Sequence, residues 1–240
     1  MDAASFINII GFGPEGWGKV LLLGALLTIA LAICGFFLGA VIGILAAWAK
    51  LSGGRILRII AETYTTVIRG IPDLLVIYLF YFGGSSAVTA IGRYFGSEGF
   101  IGFPGFLAGV LAIAICSGAL HTEVFRGAYK AIPSGEIEAA TASGMSIWIK
   151  FRRIIAPLAF RYALPGFGNV WQVALKESAL VSIVGIIDLM QQAKFGAGNT
   201  GLHFQFYIIA AAIYLLISTV SGSALQISER IFSRGMRRSR

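Results

Sequence analysis

The sequence predicts an all-α integral membrane protein with five transmembrane helices in a single domain, residues 1–240. Three observations predict it. The first is composition: of 240 residues, 57% are hydrophobic and 12% charged, with a mean hydropathy of +0.83. Soluble domains average about 25% charged residues. The second is run length. A bilayer core of about 30 Å needs about 20 apolar residues in a helix, and such runs fall at about 20–49, 64–83, 104–120, 166–190 and 204–226.

The third is the placement of charge. With alternating spans, one side holds Lys50, Arg55, Arg58 and Arg69, then Arg126, Lys130, Lys150, Arg152, Arg153 and Arg161, then Arg230, Arg234, Arg237, Arg238 and Arg240. That is 15 of the 19 basic residues. The opposite side has Lys19, Arg93 and Lys194, and Lys176 lies inside a span. The positive-inside rule then puts the N-terminus outside and the C-terminus in the cytoplasm. This distribution also turns the net charge of +8 away from a nucleic-acid reading.

Taken in order, the chain begins Met1-Asp2, without the positive n-region of a signal peptide, so none is expected. Cys34 and Cys116 each sit in an apolar run and read as small core residues. The first span carries Gly35, Gly39 and Gly43, small residues four apart that let a neighbouring helix approach closely. In the second, Ile71-Pro72-Asp73 should kink the helix, because proline removes a backbone hydrogen bond. From Gly83-Gly84-Ser85-Ser86 to Phe103 a modest outer loop is expected. It is too short to be a ligand-binding domain.

The third gap, His121 to Pro165, is the long one. Ser134 reads as a helix cap and Glu136 as a first-turn acid suited to the helix dipole. Ile137, Ala140 and Met145 then share one face, with Glu138 and Thr141 on another: a short amphipathic helix outside the membrane. Gly144 reads as a turn, and a second helix carries Ile154 and Pro157 into the fourth span.

Two phosphate-binding strings near the N-terminus do not carry their usual meaning. Gly11-x-Gly13-x-x-Gly16 precedes a transmembrane helix, not a βαβ unit. Gly13-x4-Gly18-Lys19 is followed by Val20, so it lacks the hydroxyl that would ligate Mg²⁺. His121 and His203 are the only histidines, and no metal constellation, nucleophile elbow or catalytic carboxylate pair occurs. No enzyme chemistry, metal or cofactor is expected.

Charges inside a span are costly and mark function by default. Lys176 and Glu177 sit in the fourth span; adjacent side chains point about 100° apart, so both cannot face one cavity. The readings are a substrate pathway lined by Glu177, with Ser178 beside it, or a buried ion pair. Asp73 either meets a cationic substrate beside the broken helix or pairs with Arg69 at i, i+4. Asp188 and Glu98 lie near span ends and should be solvated.

Glu138-Ala139-Ala140, Gly144, Ile154 and Pro157 resemble, in register, the cytoplasmic EAA loop of ABC-importer permeases, E-A-A-x3-G-x9-I-x-L-P, with Ala156 in place of its leucine. The likeness extends over roughly residues 18–230, through Arg69-Gly70-Ile71-Pro72, Arg126-Gly127, Ile132-Pro133-x-Gly135, Phe151-Arg152-Arg153, Ala163-Leu164-Pro165, Gly168-Asn169 and Leu175-Lys176-Glu177-Ser178. These look like the polar-amino-acid branch. Pro72-Asp73-Leu74 is most similar to the histidine/lysine/arginine and opine permeases. Glu177-Ser178-Ala179 departs from a more typical Asp-Thr-Ser.

The resemblance implies a type I ABC importer in a bacterial inner membrane. Its partners would be a cytoplasmic ABC ATPase dimer, a second homologous permease and an extracytoplasmic solute-binding protein. The ATPase would grip the loop, the permease itself would hydrolyse nothing, and Glu177 would lie where the pathway is lined. The rivals are a secondary transporter or channel driven by an ion gradient, and a membrane scaffold. The first usually carries internal repeats with paired broken helices, and no repeat is found.

Overall fold

A computed structural model describes residues 11–13 and 16–232. The leader beginning at Met1, residues 14 and 15 within the glycine strings, and Arg234, Arg237, Arg238 and Arg240 lie outside the described residues. All regular structure among the described residues is helical. Helix α1 is Gly18–Ser52, α2 Arg55–Gly70, α3 Asp73–Tyr94, α4 Gly105–Lys130 and α5 Ser134–Ala142. After a short α6, Ile147–Lys150, a π-helical turn Phe151–Ile155 leads into α7, Ala156–Ser178. A 3₁₀ segment, Ala179–Val184, precedes α8, Leu189–Thr200, and α9, His203–Phe232.

Four helices, α1, α3, α4 and α9, are long and apolar enough to cross a membrane. The expected second, third and fourth spans are redrawn, and α9 runs on to Phe232, past the expected 226. The expected second span, 64–83, is divided. Ile71 (φ −108°, ψ 149°) and Pro72 (φ −62°, ψ 134°) are both extended, so α2 ends at Gly70 and α3 starts at Asp73. Proline disfavours helical geometry in the residue before it, which turns a kink into a complete break. The apolar helix then continues to Tyr94, through residues expected in the outer loop. Ser85 and Thr89 tie the remaining loop to it: Ser85 Oγ accepts from Phe103 N at 2.9 Å, and Thr89 Oγ1 both accepts from and donates to Ile101 backbone at 3.0 and 3.1 Å.

The third helix outruns its expected end at residue 120 by ten residues, to Lys130. In these extra turns Thr122 Oγ1 donates to Gly118 O at 2.7 Å and His121 Nδ1 lies 2.9 Å from Ser117 O. Residues 166–190 do not form one α-helix. Ser178 and Ser182 donate to carbonyls three residues back, at 2.7 and 2.9 Å, as the helix tightens. Gly185, at φ +84°, then ends it. Asp188, expected to be solvated, is fully buried and caps α8, its Oδ1 accepting from Gln191 N at 2.9 Å. A carboxylate at a helix start satisfies donors that no turn of the helix can reach.

The chain falls into two compact units, each assembled from three separate stretches. The first takes 1–35, 72–113 and 174–219. Its core holds Leu21, Leu189, Ala193, Ala197 and Phe206, with Trp17 edge-on to Phe206 at 5.6 Å. Thr28 Oγ1 accepts from Leu189 N at 3.2 Å and donates to Gly24 O at 3.0 Å. A Cβ at Gly24 would stand 2.9 Å from the Asp188 carbonyl oxygen, so only glycine fits there.

The second unit takes 36–71, 114–173 and 220–240. Phe36 packs edge-on against His121 at 4.7 Å and Trp171 at 5.7 Å, and Phe125 lies 5.3 Å from Phe167. Trp171 Nε1 donates to Ser221 Oγ at 2.8 Å. Gly39 and Gly43 of α1 lie directly on α4, against Ser117 and His121, as the four-residue glycine spacing implies.

Candidate functional site

The segment 134–157 is built by local chemistry. Helix α5 begins at Ser134 itself, with Pro133 at the cap position, so the expected Ser134 cap does not form. Proline, at φ −58°, is pre-set for this entry. Glu136 occupies the first turn. Ala140 is buried, whereas Glu138, Ala139 and Thr141 are exposed, which is the amphipathic division read from the sequence.

Gly144 ends the helix at φ +73°. Its N–H donates to Thr141 O at 3.0 Å, and the N–H of Met145 donates to Ala140 O at 3.2 Å. These are the paired bonds of a Schellman motif, in which a glycine in the left-handed conformation satisfies the last carbonyls. Ser146 then caps α6, its Oγ accepting from Ile149 N at 3.4 Å. Lys150 Nζ reaches back to Thr141 Oγ1 at 3.0 Å and ties the two arms together. The π-helical turn 151–155 sits immediately before Pro157, whose ring would otherwise press on the Arg153 carbonyl. Ile154 is half-buried, Pro157 exposed.

An exposed helix thus presents Glu138, held by a glycine turn and a cross-tie. Gly144→Val is expected to strain this turn, because a β-branched residue resists positive φ. The expected cost is about 1–3 kcal/mol of local stability. Faster protease cleavage at 143–146 with unchanged membrane insertion is the measurable result.

In the first unit, Glu177 ends α7 only 5% exposed, and its Oε2 has no hydrogen-bond partner among the described residues. Lys176 beside it is exposed, the divergence that 100° per residue requires. Ser178 is buried and spends its hydroxyl on Leu175 O. Asp73, half-buried in the first turn of α3, belongs to the same unit.

Both salt bridges among the described residues use Glu123, so neither an interhelical ion pair at Lys176 or Glu177 nor the pairing of Asp73 with Arg69 forms among them. The break at Ile71 and Pro72 removes the i, i+4 register the second pair needed. Neither carboxylate is neutralised by a salt bridge among the described residues. The sequence reading passed over Glu123, although its i, i+3 spacing to Arg126 was a visible signal.

Comparison with known proteins extends these observations. Residues 39–238 match the family described as binding-protein-dependent transport system inner membrane component. The octopine transport system permease protein OccQ of Rhizobium meliloti is 52% identical over 233 residues, 97% of this chain and 98% of the relative. The histidine/lysine/arginine/ornithine transport system permease protein HisQ of Escherichia coli (strain K12) is 43% identical over 223 residues, 93% of this chain and 97% of the relative. The solved structure of an amino acid ABC transporter with histidines superposes with a TM-score of 0.78 at 33% identity, over 96% of this chain and 98% of that one.

Proposed function

Since the chain belongs to the family of binding-protein-dependent transport system inner membrane components, a multi-pass inner-membrane permease that works with an ATPase and a solute-binding protein, we propose that it imports basic amino acids or opines. The observation that carries the substrate class is that buried Glu177 and half-buried Asp73 belong to one unit and join no salt bridge among the described residues. The chain's likeness to octopine and histidine/lysine/arginine/ornithine permeases supports the same reading.

The segment 134–157 is the surface that a cytoplasmic ATPase dimer grips, with Glu138 exposed upon it. This permease pairs with a second, homologous permease, its N-terminus outside and its C-terminus in the cytoplasm. Five spans complete it, the fourth being the helical stretch that ends at Ser178. ATP-driven closure of the ATPases displaces α5 and opens the cavity outward; the binding protein delivers its ligand, and hydrolysis returns the cavity inward.

Gentle detergent purification of the tagged chain, followed by mass spectrometry and an ATPase assay, tests the assembly. A copurifying P-loop ATPase and a second permease are expected. A single species without ATPase, with uptake driven by an ion gradient in ATP-free vesicles, would overturn it in favour of a secondary carrier.

Glu177→Gln tests the substrate class. Uptake of cationic solutes should fall roughly tenfold or more, the worth of a charge-assisted hydrogen bond, with neutral solutes less affected. Equal loss for both would assign Glu177 a structural role.

A further inference from the structure

Where α1 ends, α2 begins and α4 ends, the second unit encloses a cleft of about 520 Å³ lined by Lys50, Arg58, Glu62, Glu123, Arg126 and Lys130. Four cations face two carboxylates. Glu123 is already committed: its Oε1 accepts from Lys50 Nζ at 2.7 Å, and its Oε2 from Arg126 Nε and Nη2 at 2.9 and 2.6 Å. Lys50 Nζ also donates to Thr65 Oγ1 at 2.6 Å. Arg58 and Lys130 are exposed and join neither salt bridge among the described residues.

The start of α2 adds a second, independent sign. Its cap is Gly54, which offers no side-chain hydrogen bond, and its first turn has no acidic residue. The first intrahelical bond runs from Arg58 N to Gly54 O at 3.0 Å, which leaves the N–H groups of Arg55, Ile56 and Leu57 without a backbone acceptor among the described residues. A helix N-terminus carries partial positive charge and favours acids. Here it carries Arg55 and Arg58 instead, so within the protein the electrostatics of this end are unfavourable. An anion in the cleft, where Arg58 of this first turn is exposed, would offset that unfavourable charge.

We propose that this cleft binds a phosphate group, carried either by an anionic membrane phospholipid or by a soluble phosphate. The proposal is independent of which solute is imported. The lipid source fits two further features. Ile56 and Leu57, next to Arg58 in the first turn of α2, are 75% and 45% exposed, apolar surface suited to acyl chains. The charge bias also assigns Lys50, Arg58, Arg126 and Lys130 to the cytoplasmic side, where basic pockets between helices meet anionic headgroups.

The test uses the purified full-length chain with whatever subunits accompany it, in mixed phosphatidylcholine and phosphatidylglycerol. Native mass spectrometry counts retained lipid. The wild type should retain phosphatidylglycerol over phosphatidylcholine, and Arg58→Gln with Lys130→Gln should weaken that binding roughly 10- to 30-fold, from two charges near the headgroup. Arg58→Lys with Lys130→Arg should retain it, as should Arg93→Gln with Lys194→Gln, which remove the same charge from exposed positions elsewhere.

Competition then separates the sources. Phosphatidylglycerol that inorganic phosphate fails to displace identifies a lipid site; displacement identifies a soluble-phosphate site, and either supports the proposal. Wild-type binding by the double glutamine variant, or no binding of either probe by the wild type, overturns it.

Discussion

Glu138→Lys abolishes uptake while the protein still inserts and folds: that is the expected result with the largest functional effect. Glu138 is exposed on the nine-residue helix Ser134–Ala142 and joins neither salt bridge among the described residues. Substitutions at such positions usually change stability by less than about 0.5 kcal/mol. The inward residue of this helix is Ala140, which the substitution leaves untouched.

At a docked surface the same change inverts a charge against its partner. That costs about 2–5 kcal/mol of binding, or roughly 30-fold and upward. Uptake and ATPase copurification should therefore fall together, with thermal stability of the isolated chain unchanged. Normal uptake with normal copurification would remove the coupling role from α5.

Gly43→Leu should have the largest structural effect. A Cβ at Gly43 would lie 3.0 Å from both the His121 carbonyl carbon and the Thr122 nitrogen, backbone atoms that cannot step aside as a flexible side chain can. Helices α1 and α4 must then separate. In a membrane the close approach of small residues is itself a main source of helix association, and here it is joined by the Phe36–His121 ring contact and the Lys50–Glu123 ion pair between the same two helices. Overpacking costs about 1–3 kcal/mol, and more where backbone must move.

The expected readout is loss of the monodisperse peak on size exclusion, or a large drop in thermal midpoint. Gly127→Ala is the control, since nothing lies within 4 Å of its Cβ position. A Gly43→Leu protein as stable as that control would show that the α1–α4 contact is not tight.

The glycines show how far sequence reasoning reaches. Gly39 and Gly43 were legible because their four-residue spacing is a helical-face pattern, and Gly144 because a turn between two helices calls for positive φ. The glycine at 185 was missed: it lies in an apolar run whose hydropathy continues straight across the turn. Pro72 was legible as a disturbance, yet its consequence depended on whether Ile71 stayed helical, which is decided by what the flanking helices pack against.

The candidate site divides in the same way. The loop 134–157 is local, held by bonds within a few residues and by Lys150 on Thr141, nine residues apart, so its residues were named before any fold was in view. The ion pair of Lys50 with Glu123 spans 73 residues, and the bond from Leu189 N to Thr28 Oγ1, beside Asp188, spans 161.

By itself the sequence determined that this chain is a helical membrane permease with a polar segment between apolar runs. Hydropathy, the sign of exposed charge and short-range turn chemistry are all written locally along the chain. Only the tertiary structure decided where helices break, which carboxylates are neutralised, and that Asp73 and Glu177 share one unit and join no salt bridge among the described residues. Those outcomes depend on burial and on partners distant in sequence, and a buried charge takes its meaning from what faces it.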